Sequence, residues 1–421
     1  KRKPALLKVG FLFLRLMGLV FYRLSVFFYF IAIRLAAPFN NKARLFTDGR
    51  KNTFPSLEKQ LKENNAPIIW VHCASLGEFE QGKPVIERLA ERYPSYKILL
   101  TFFSPSGYEV RSNYIVADLI HYLPLDTPSN SRRFIELTRP SLVIFVKYEF
   151  WYFYLKELDK RSIPTLSISS IFRPNQIFFK GIGGFQRKTL KLIDHFFVQT
   201  QKSSDLLLSI DVNQVTVSGD TRFDRVYDTC QNAESISGVS EFIGDSKTMI
   251  IGSSWPEDME ILNPFIESNR LKYIIAPHEI SESGIEELIK GLKKPFARYS
   301  DAPSIWQKKD VLIIDNVGLL SRLYRYGDYA YVGGAFGKGL HNTLEAATFG
   351  LPIFFGNKNY TKFQEAIQLT RLGAAFPIGS YRDLQTKFDN LSEHVGPVAR
   401  NFVEDNLGAT EKIMAYLNGK L

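Results

Sequence analysis

Short apolar runs alternate with amphipathic stretches along most of this chain. The apolar runs have the length of single strands, and stretches such as 85–92 and 131–138 between them place their apolar residues at helical spacing. Strands of a parallel sheet are covered by helices on both faces, so they appear as continuous apolar runs rather than alternating ones. The pattern therefore predicts an α/β protein with parallel, doubly wound sheets.

A polar stretch rich in small residues, 228–245, separates the predicted strands into two sets. With 421 residues the chain also exceeds what one hydrophobic core usually serves. We therefore predict an N-terminal Rossmann-like domain at 39–228, a linker at 229–246 and a C-terminal Rossmann-like domain at 247–421. Ligands of open sheets bind beyond the carboxyl ends of the strands, so we expect the site in a cleft between two facing domains. The predicted strands are 68–73, 96–103, 119–123, 142–146, 165–168, 196–199 and 215–217 in the first set, and 249–252, 272–276, 311–314, 329–332 and 352–355 in the second.

The N-terminal residues 1–38 form a separate predicted segment, a membrane-anchor helix. This segment is rich in Phe and Leu, but Lys8, Arg15, Arg23 and Arg34 interrupt it. An arginine at the centre of a spanning helix costs about 2.5–3.5 kcal/mol on insertion scales, which the apolar length can absorb once. The anchor is therefore either one tilted span or an interfacial helix whose arginines reach the headgroups. A buried helical hairpin is the alternative.

Lysine and arginine outnumber aspartate and glutamate by 53 to 43, which gives a net charge of +10. This balance suggests an acidic partner such as phosphorylated lipid or nucleotide, whereas the sequence has neither the zinc-knuckle spacing nor the basic arm of a nucleic-acid binder. Lys42, Arg44, Arg50 and Lys51 follow the anchor and fit an anionic cytoplasmic membrane surface. Two cysteines make no disulfide framework, and no cluster has metal-ligand spacing, so we expect neither metal nor cofactor.

A glycine-rich segment at 333–356 carries the strongest chemical signal. Its glycines let backbone N–H groups approach an anion, and a helix predicted to begin at Asn342 and end at Gly350 offers the positive end of its dipole. Glu345, one turn into that helix, is placed to accept from ribose hydroxyls. Asn342 and Glu345 alone would also form a capping box that binds nothing. The whole segment resembles the nucleotide-sugar cradle of glycosyltransferases with two facing Rossmann-like domains.

Polar residues follow several predicted strands of the first domain. Ser75 and Glu78 come directly after the first strand, where Glu78 is placed to act as general base toward an acceptor hydroxyl. The same two residues have the spacing of a capping box. Glu149 follows the fourth strand and either orients a substrate or pairs with a cation. Arg222 follows the seventh strand and either holds an acid group through two hydrogen bonds or is an ordinary surface arginine.

Two strand ends of the second domain are further candidates. Pro277 and His278 follow one strand, and 315–320 follows another at a turn into a helix, where backbone N–H groups could cap a base or phosphate. An ordinary strand-to-helix turn explains 315–320 equally well. In the first domain, the loop 172–188 mixes phenylalanines with cations, which suggests contact with phosphorylated lipid, or a partly buried excursion.

In order along the chain, these segments resemble the 3-deoxy-D-manno-octulosonic acid (Kdo) transferase family, whose members move Kdo from CMP-Kdo to a lipid A precursor. The resemblance runs from the N-terminal anchor to about Leu369. It implies a GT-B fold, with an N-terminal anchor, at the cytoplasmic face of the cell inner membrane. The matching segments are 75–78, 149–151, 219–224, 253–255, 277–278 and 339–345.

The resemblance also implies residue roles. Glu78 matches the catalytic base of the family, and Glu149 and Arg222 match positions that stabilise the transition state. The implied reaction is a single displacement that inverts the anomeric configuration of Kdo, without a metal ion. The positions that match CMP contacts are Pro277, His278, Val317, Gly318, Leu319, Asn342, Thr343, Leu344 and Glu345.

Four positions depart from the usual family pattern. Arg222 stands where lysine is usual, His278 where arginine is, Leu319 where glutamate is, and Leu340 where glycine is. A histidine makes phosphate contact pH-dependent, and a leucine restricts the backbone. Two other functions remain open: a UDP-sugar-dependent transferase of the same fold acting on another membrane lipid, and a non-catalytic, membrane-anchored nucleotide-sugar binder.

Overall fold

The computed structural model describes residues 3–421, with side chains from Met17 onward. Its contacts divide the chain into two units, of which unit 1 comprises the residues up to Asp224 together with Gly408–Leu421, and unit 2 comprises Arg225–Leu407. Each unit contains one sheet of seven parallel strands, as the apolar runs predict. The strands are β1 (Ile68–Cys73), β2 (Lys97–Phe102), β3 (Leu119–Tyr122), β4 (Pro140–Val146), β5 (Thr165–Ser170), β6 (His195–Val198), β7 (Val215–Val217), β8 (Thr248–Ser254), β9 (Lys272–Pro277), β10 (Phe296–Arg298), β11 (Val311–Ile313), β12 (Tyr329–Val332), β13 (Ile353–Gly356) and β14 (Ala375–Ile378).

Helices connect successive strands in both units. Two short 3₁₀ helices, Ile177–Phe179 and Tyr324–Tyr326, supplement them. The α-helices are α1 (Lys3–Ala36), α2 (Asn41–Lys51), α3 (Thr53–Leu61), α4 (Leu76–Arg92), α5 (Pro105–Arg111), α6 (Pro128–Thr138), α7 (Tyr152–Lys160), α8 (Gly184–Leu190), α9 (Gln201–Leu208), α10 (Thr221–Gln231), α11 (Val239–Ile243), α12 (Pro256–Ser268), α13 (Glu282–Lys290), α14 (Pro303–Trp306), α15 (Leu320–Leu323), α16 (Leu344–Thr348), α17 (Gln364–Arg371), α18 (Tyr381–Asp389), α19 (Val395–Glu404) and α20 (Ala409–Leu417).

The sheet of unit 1 has the strand order β3-β2-β1-β4-β5-β6-β7. Successive residues of each strand point to opposite faces, and both faces are buried. Trp70 and Phe145 pack on one face with side chains of α3, α6 and α7. Val71 and Ile144 pack on the other face with side chains of α4 and α20. This double coverage explains why the strands read as unbroken apolar runs.

The sheet of unit 2 has the strand order β10-β11-β9-β8-β12-β13-β14. Two of its strands, β10 and β14, have no counterpart among the predicted ones. Each is short, β14 contains Pro377, and both lie at a sheet edge, where proline is tolerated. Edge strands lack the long apolar run that marks a strand with neighbours on both sides.

The C-terminal helix differs from the predicted domain assignment. The sequence placed 247–421 in one domain, but α20 belongs to unit 1, where Ile413, Met414 and Leu417 join the core beside α4. The backbone N–H groups of Gly408 and Thr410 donate to the carboxylate of Asp224 at 2.6 and 2.7 Å. The predicted linker 229–246 also contains regular structure, the end of α10 and all of α11.

The N-terminal segment is one continuous helix, so the hairpin alternative does not hold. Its part from Met17 to Ala36 is long and apolar enough to cross a membrane, with a mean hydropathy of 1.7. Phe21 and Phe28 are 61% exposed, whereas the ring of Tyr22 contacts Phe153 and Phe185 of unit 1. The side chains of Lys8 and Arg15, which the anchor prediction used, lie outside the described residues.

One of the four cations that follow the anchor is not available to a membrane. The guanidinium of Arg50 donates to the backbone carbonyls of Phe46, Phe103 and Leu123, and burial lowers its pKa to about 10. Arg50 therefore ties α2 to the ends of β2 and β3. Lys42 and Arg44 are exposed.

Candidate active site

The strand order of unit 1 reverses at β1. From β1 the chain first adds β2 and β3 on one side and then β4 to β7 on the other. The crevice outside the carboxyl ends of two strands that diverge in this way is the usual ligand site of an open α/β sheet. Ser75 and Glu78 follow β1, and Glu149 follows β4. The structure therefore places both predicted carboxylates at the switch point.

Glu78 lies half-buried in the first turn of α4. Ser75 is the N-cap residue, but its side chain accepts no hydrogen bond from the helix backbone. Its hydroxyl instead donates to Oε2 of Glu78. The reciprocal capping box is therefore not formed, and the carboxylate is held by one hydroxyl at the positive end of the dipole of a 17-residue helix.

Two ring nitrogens lie at one oxygen of Glu149. Its Oε2 accepts from Trp151 Nε1 at 2.7 Å and lies 3.3 Å from His72 Nε2. Trp70 Nε1 can only donate, and it donates to Thr101 Oγ1, which lies 2.8 Å from His72 Nδ1. His72 Nδ1 also lies 3.1 Å from the carbonyl oxygen of Thr101, so the imidazole is held between Thr101 on one side and Glu149 on the other. The side chain of Glu149 is 13% exposed, and no hydrogen bond to its other oxygen is present in the part of the chain that the structure describes.

Cys73 ends β1 beneath both carboxylates. Burial raises the pKa of its thiol well above the ordinary value, and the negative charges of Glu78 and Glu149 raise it further. The thiol therefore stays protonated and is a core residue rather than a nucleophile. Lys147, between β4 and Glu149, has φ +64, a conformation that costs energy for a side chain larger than glycine. This strained residue directs the chain from β4 into the turn that presents Glu149.

Thr221, which precedes Arg222, fixes the start of α10 at the same edge of the sheet. The hydroxyl of Thr221 donates to the carbonyl of Gln81 in α4 at 2.5 Å and lies 2.9 Å from Ser169 Oγ at the end of β5. The guanidinium of Arg222 donates through Nε and Nη2 to Oδ2 of Asp220, at 2.9 and 2.8 Å. Asp220 is thus one acid group that Arg222 holds, and contact of Arg222 with a substrate stays a prediction.

In unit 2 the strand order reverses at β8, between β9 and β12. Trp255 follows β8 and His278 follows β9. Their rings stack at 4.1 Å with an interplanar angle of 22°. His341, beyond β12, lies 4.8 Å from the His278 ring and accepts at Nε2 from Trp255 Nε1 at 3.3 Å. The ammonium of Lys338 lies 4.3 Å from the Trp255 ring centre.

We call Trp255, His278, His341 and Lys338 the ring cluster. Sequence reasoning found only His278 as a site residue of this cluster. The signal for the others was present, because Trp255 belongs to a matched segment and His341 directly precedes Asn342. Burial and the neighbouring His278 both lower the pKa of His341. The ring cluster offers one permanent cation and two imidazoles, which suits an anionic group.

Asp258 organises the glycine-rich turn. It is fully buried and accepts hydrogen bonds from the backbone N–H of Trp255, the hydroxyl of Tyr331 and the backbone N–H of Gly334, at 2.9, 2.7 and 2.9 Å. Gly333 must be glycine, because a Cβ there would lie 2.3 Å from the carbonyl oxygen of Ser253. One buried carboxylate thus fixes the ends of β8 and β12 relative to each other.

The helix that follows the glycine-rich turn begins later and is shorter than predicted. The helix α16 spans only Leu344–Thr348, and Thr343 is its N-cap without a side-chain bond. Asn342 Oδ1 accepts from the Leu344 N–H at 3.1 Å, and Asn342 Nδ2 donates to Glu345 at 3.0 Å. Asn342 thus partly serves the capping role, and a five-residue helix has a weak dipole. Burial raises the pKa of Glu345.

The remaining predicted CMP positions lie at two other strand ends. Val317 is 74% exposed and Gly318 has φ +85, so this turn presents its backbone to solvent. Pro277 ends β9, and the N–H of His278 donates to the carbonyl of Ser254 at 3.0 Å. Leu340 is 4% exposed and has no positive φ; that conformation falls on Gly339, with φ +139. A leucine in place of the usual glycine is therefore compatible with the turn.

Two parallel sheets, each with polar residues beside its switch point, and an N-terminal apolar helix define an α/β protein of the GT-B class. The fold is similar to that of UDP-GlcNAc 2-epimerase from Neisseria meningitidis bound to UDP-GlcNAc, with a TM-score of 0.60 and 16% identity over 84% of this chain and 100% of that chain. At that identity the likeness shows the fold alone, and it confirms the predicted fold class.

Sequence relatives give the family. A family described as 3-deoxy-D-manno-octulosonic-acid transferase (kdotransferase) matches residues 49–225. The 3-deoxy-D-manno-octulosonic acid transferase of Aquifex aeolicus is 30% identical over 352 residues, which cover 81% of this chain and 90% of that protein. The one from Chlamydia pneumoniae is 27% identical over 76% of each chain. The chain therefore belongs to the 3-deoxy-D-manno-octulosonic acid transferase family of glycosyltransferases, as its motifs predicted.

Proposed function

We propose that this chain is an inverting transferase that moves Kdo from CMP-Kdo to a sugar hydroxyl of a lipid A precursor. The observation that carries the proposal is the pair of carboxylates, Glu78 and Glu149, at the switch point of unit 1 in a chain of this family. Neither carboxylate is used in a capping box or a salt bridge to Lys or Arg among the described residues. A purely structural role leaves that placement unexplained, which disfavours the non-catalytic alternative.

In the proposed reaction, Glu78 takes the proton from the acceptor hydroxyl as the oxygen attacks the anomeric carbon of Kdo. The bond from that carbon to the phosphate oxygen of CMP breaks, and CMP leaves as an anion. A base that takes the proton in the transition state contributes about 10²- to 10⁴-fold in rate. Glu149, fixed by Trp151 and His72, would stabilise positive charge that develops at the sugar, and Arg222 would stabilise negative charge.

Unit 2 would bind the donor. CMP has one phosphate, whose charge the ammonium of Lys338 can partly neutralise without a metal ion, while the imidazoles of the ring cluster can hydrogen-bond its oxygens. The backbone of the exposed turn at 317–319 and the Asn342–Glu345 segment would contact the nucleoside, as the family resemblance implies. A histidine at 278 in place of arginine would make phosphate binding weaker as the imidazole loses its proton.

The anchor helix would lie at the cytoplasmic face of the inner membrane. Tyr22 and Tyr29 pack on unit 1 through aromatic contacts, while Phe21, Phe28 and Leu35 are exposed. A helix with these contacts to unit 1 suits an interfacial position better than a full span. The exposed Lys42 and Arg44 would then contact anionic lipid headgroups.

Donor choice is tested by binding, measured calorimetrically with CMP, UMP and UDP. We expect CMP to bind best and the Lys338→Ala substitution to weaken CMP binding about tenfold, because it removes the permanent cation of the ring cluster. Lys293→Ala is the matched control, since Lys293 is an exposed lysine paired with Glu267. Preferential binding of UDP would favour the UDP-sugar alternative instead, and an unchanged Lys338→Ala affinity would remove the ring cluster from the phosphate site.

A further inference from the structure

The first turn of α7 is capped by groups from outside the helix, one of which belongs to the anchor helix. The carboxylate of Asp126 accepts from the backbone N–H groups of Phe153 and Tyr154, each at 3.0 Å. The hydroxyl of Tyr22 accepts from the N–H of Tyr152 at 3.3 Å and itself donates to Asp126 Oδ2. These bonds satisfy three of the N–H groups that the start of a helix leaves unpaired.

The start of α7 is directly joined to Glu149. Trp151 is the N-cap residue of α7 and makes no side-chain cap bond; its Nε1 donates to Glu149 Oε2 at 2.7 Å. The Trp151 ring also packs on Phe103 at 4.7 Å. Only Phe150 separates Glu149 from Trp151, so a shift of the first turn of α7 moves the group that holds the carboxylate.

The anchor helix α1 packs against the first turn of α7 and against α8 through the aromatic ring of Tyr22. The ring of Tyr22 lies 6.0 Å from Tyr152, 5.9 Å from Phe153 and 5.7 Å from Phe185. Asp126 is 2% exposed, and burial raises its pKa to about 6, while the hydrogen bonds from Tyr22 and the two N–H groups act in the opposite direction. A buried carboxylate depends on its donors, and Tyr22 is one of three.

We propose that Tyr22 is a positioning residue for Glu149. Its hydroxyl completes the capping of α7, which holds Trp151 and, through Trp151, one oxygen of Glu149. The anchor helix thereby takes part in building the active site in addition to attaching the protein to a membrane. The inference rests on the proposed function for the role of Glu149 in the reaction, whereas the link from Tyr22 to Trp151 stands on geometry alone.

Tyr22→Phe tests the proposal, because it keeps the ring contacts and removes only the hydroxyl. In the full-length protein we expect kcat for Kdo transfer to fall about tenfold, which is the worth of one lost hydrogen bond, with KM for CMP-Kdo unchanged. Tyr29→Phe is the matched control, because Tyr29 lies on the same helix and its hydroxyl has no hydrogen-bond partner among residues 17–421. It should retain wild-type kcat.

A double-mutant cycle with Asp126→Asn tests whether the two residues act as one unit. The double variant should be no slower than the slower single variant, since each substitution breaks the same cap. Fully additive losses, or a wild-type kcat in Tyr22→Phe, would overturn the proposal. So would a Tyr22→Phe loss that disappears when rates are normalised to folded protein by thermal unfolding.

Trp151 fluorescence separates this inference from the proposed function, because it needs no substrate. The Trp151 signal is obtained in each background as the difference from the matching Trp151→Phe protein. We expect acrylamide to quench Trp151 about twice as strongly in Tyr22→Phe as in wild type, with no change in Tyr29→Phe. An unchanged Trp151 signal would contradict the positioning role, whereas absence of Kdo transfer by wild type would contradict only the proposed function.

Discussion

Replacing Glu78 with glutamine should reduce Kdo transfer about 10²- to 10⁴-fold while leaving CMP binding intact. Glutamine has the size of glutamate and can still accept from the Ser75 hydroxyl, so the first turn of α4 should persist. It cannot take a proton, and the acceptor hydroxyl would have to attack unassisted. The measurement is kcat with CMP-Kdo generated in situ and a tetraacylated lipid A precursor, together with calorimetric titration of CMP.

Glu91→Gln is the control for this prediction. Glu91 lies on the same helix, its side chain is 69% exposed and it pairs only with Arg88 among the described contacts. The control should keep wild-type kcat. If Glu78→Gln transferred Kdo at the wild-type rate, Glu78 would be a helix-start residue after all, and the base would have to be sought elsewhere.

Replacing Asp258 with alanine should destabilise unit 2 by about 3–5 kcal/mol and abolish CMP binding. The substitution leaves three buried donors unsatisfied, the N–H groups of Trp255 and Gly334 and the hydroxyl of Tyr331. Each such donor costs about 1–3 kcal/mol. In a unit of this size, a loss of that order lowers Tm by roughly 6–20 °C. Donor binding should fail because the glycine-rich turn and Trp255 lose their common support.

Thermal unfolding and CMP titration together check the Asp258 prediction. Asp310→Asn serves as control, because Asp310 is a partly exposed carboxylate of unit 2 with one long contact to Lys272, at 3.6 Å. Such a pair contributes about 0–1 kcal/mol, so its Tm should stay within a few degrees of wild type. A Tm shift of Asp258→Ala no larger than that of the control would contradict the organising role of Asp258.

The strand pattern predicted most of the fold because strands that are buried on both faces appear in the sequence as continuous apolar runs. Three predicted strands, 68–73, 215–217 and 329–332, have the observed bounds. The two strands that the pattern missed have no such run, because β14 contains a proline and β10 is only three residues long. The assignment of α20 to unit 1 was also out of reach, because an amphipathic helix does not specify which core receives its apolar face.

Sequence alone predicted those residues of the candidate site that directly follow the ends of strands. Glu78 and Glu149 follow the two strands that diverge at the switch point, so their placement at the same edge of the sheet follows from strand order. The groups that hold them could not be found in this way. His72 looks like a strand residue, and Tyr22 lies 104 positions from Asp126, so only the folded chain shows these contacts. The ring cluster likewise joins residues from three separate strand ends.

The most direct test of the proposed function is Kdo transfer by the full-length wild-type protein. The assay supplies CMP-Kdo generated in situ and a tetraacylated lipid A precursor, and is followed by mass spectrometry of the lipid. The donor-generating enzyme is removed before a chelator is added, so that the transfer step alone runs without divalent metal. We predict that the lipid gains Kdo under these conditions. A folded protein that binds CMP and yields no Kdo-modified lipid would contradict the account.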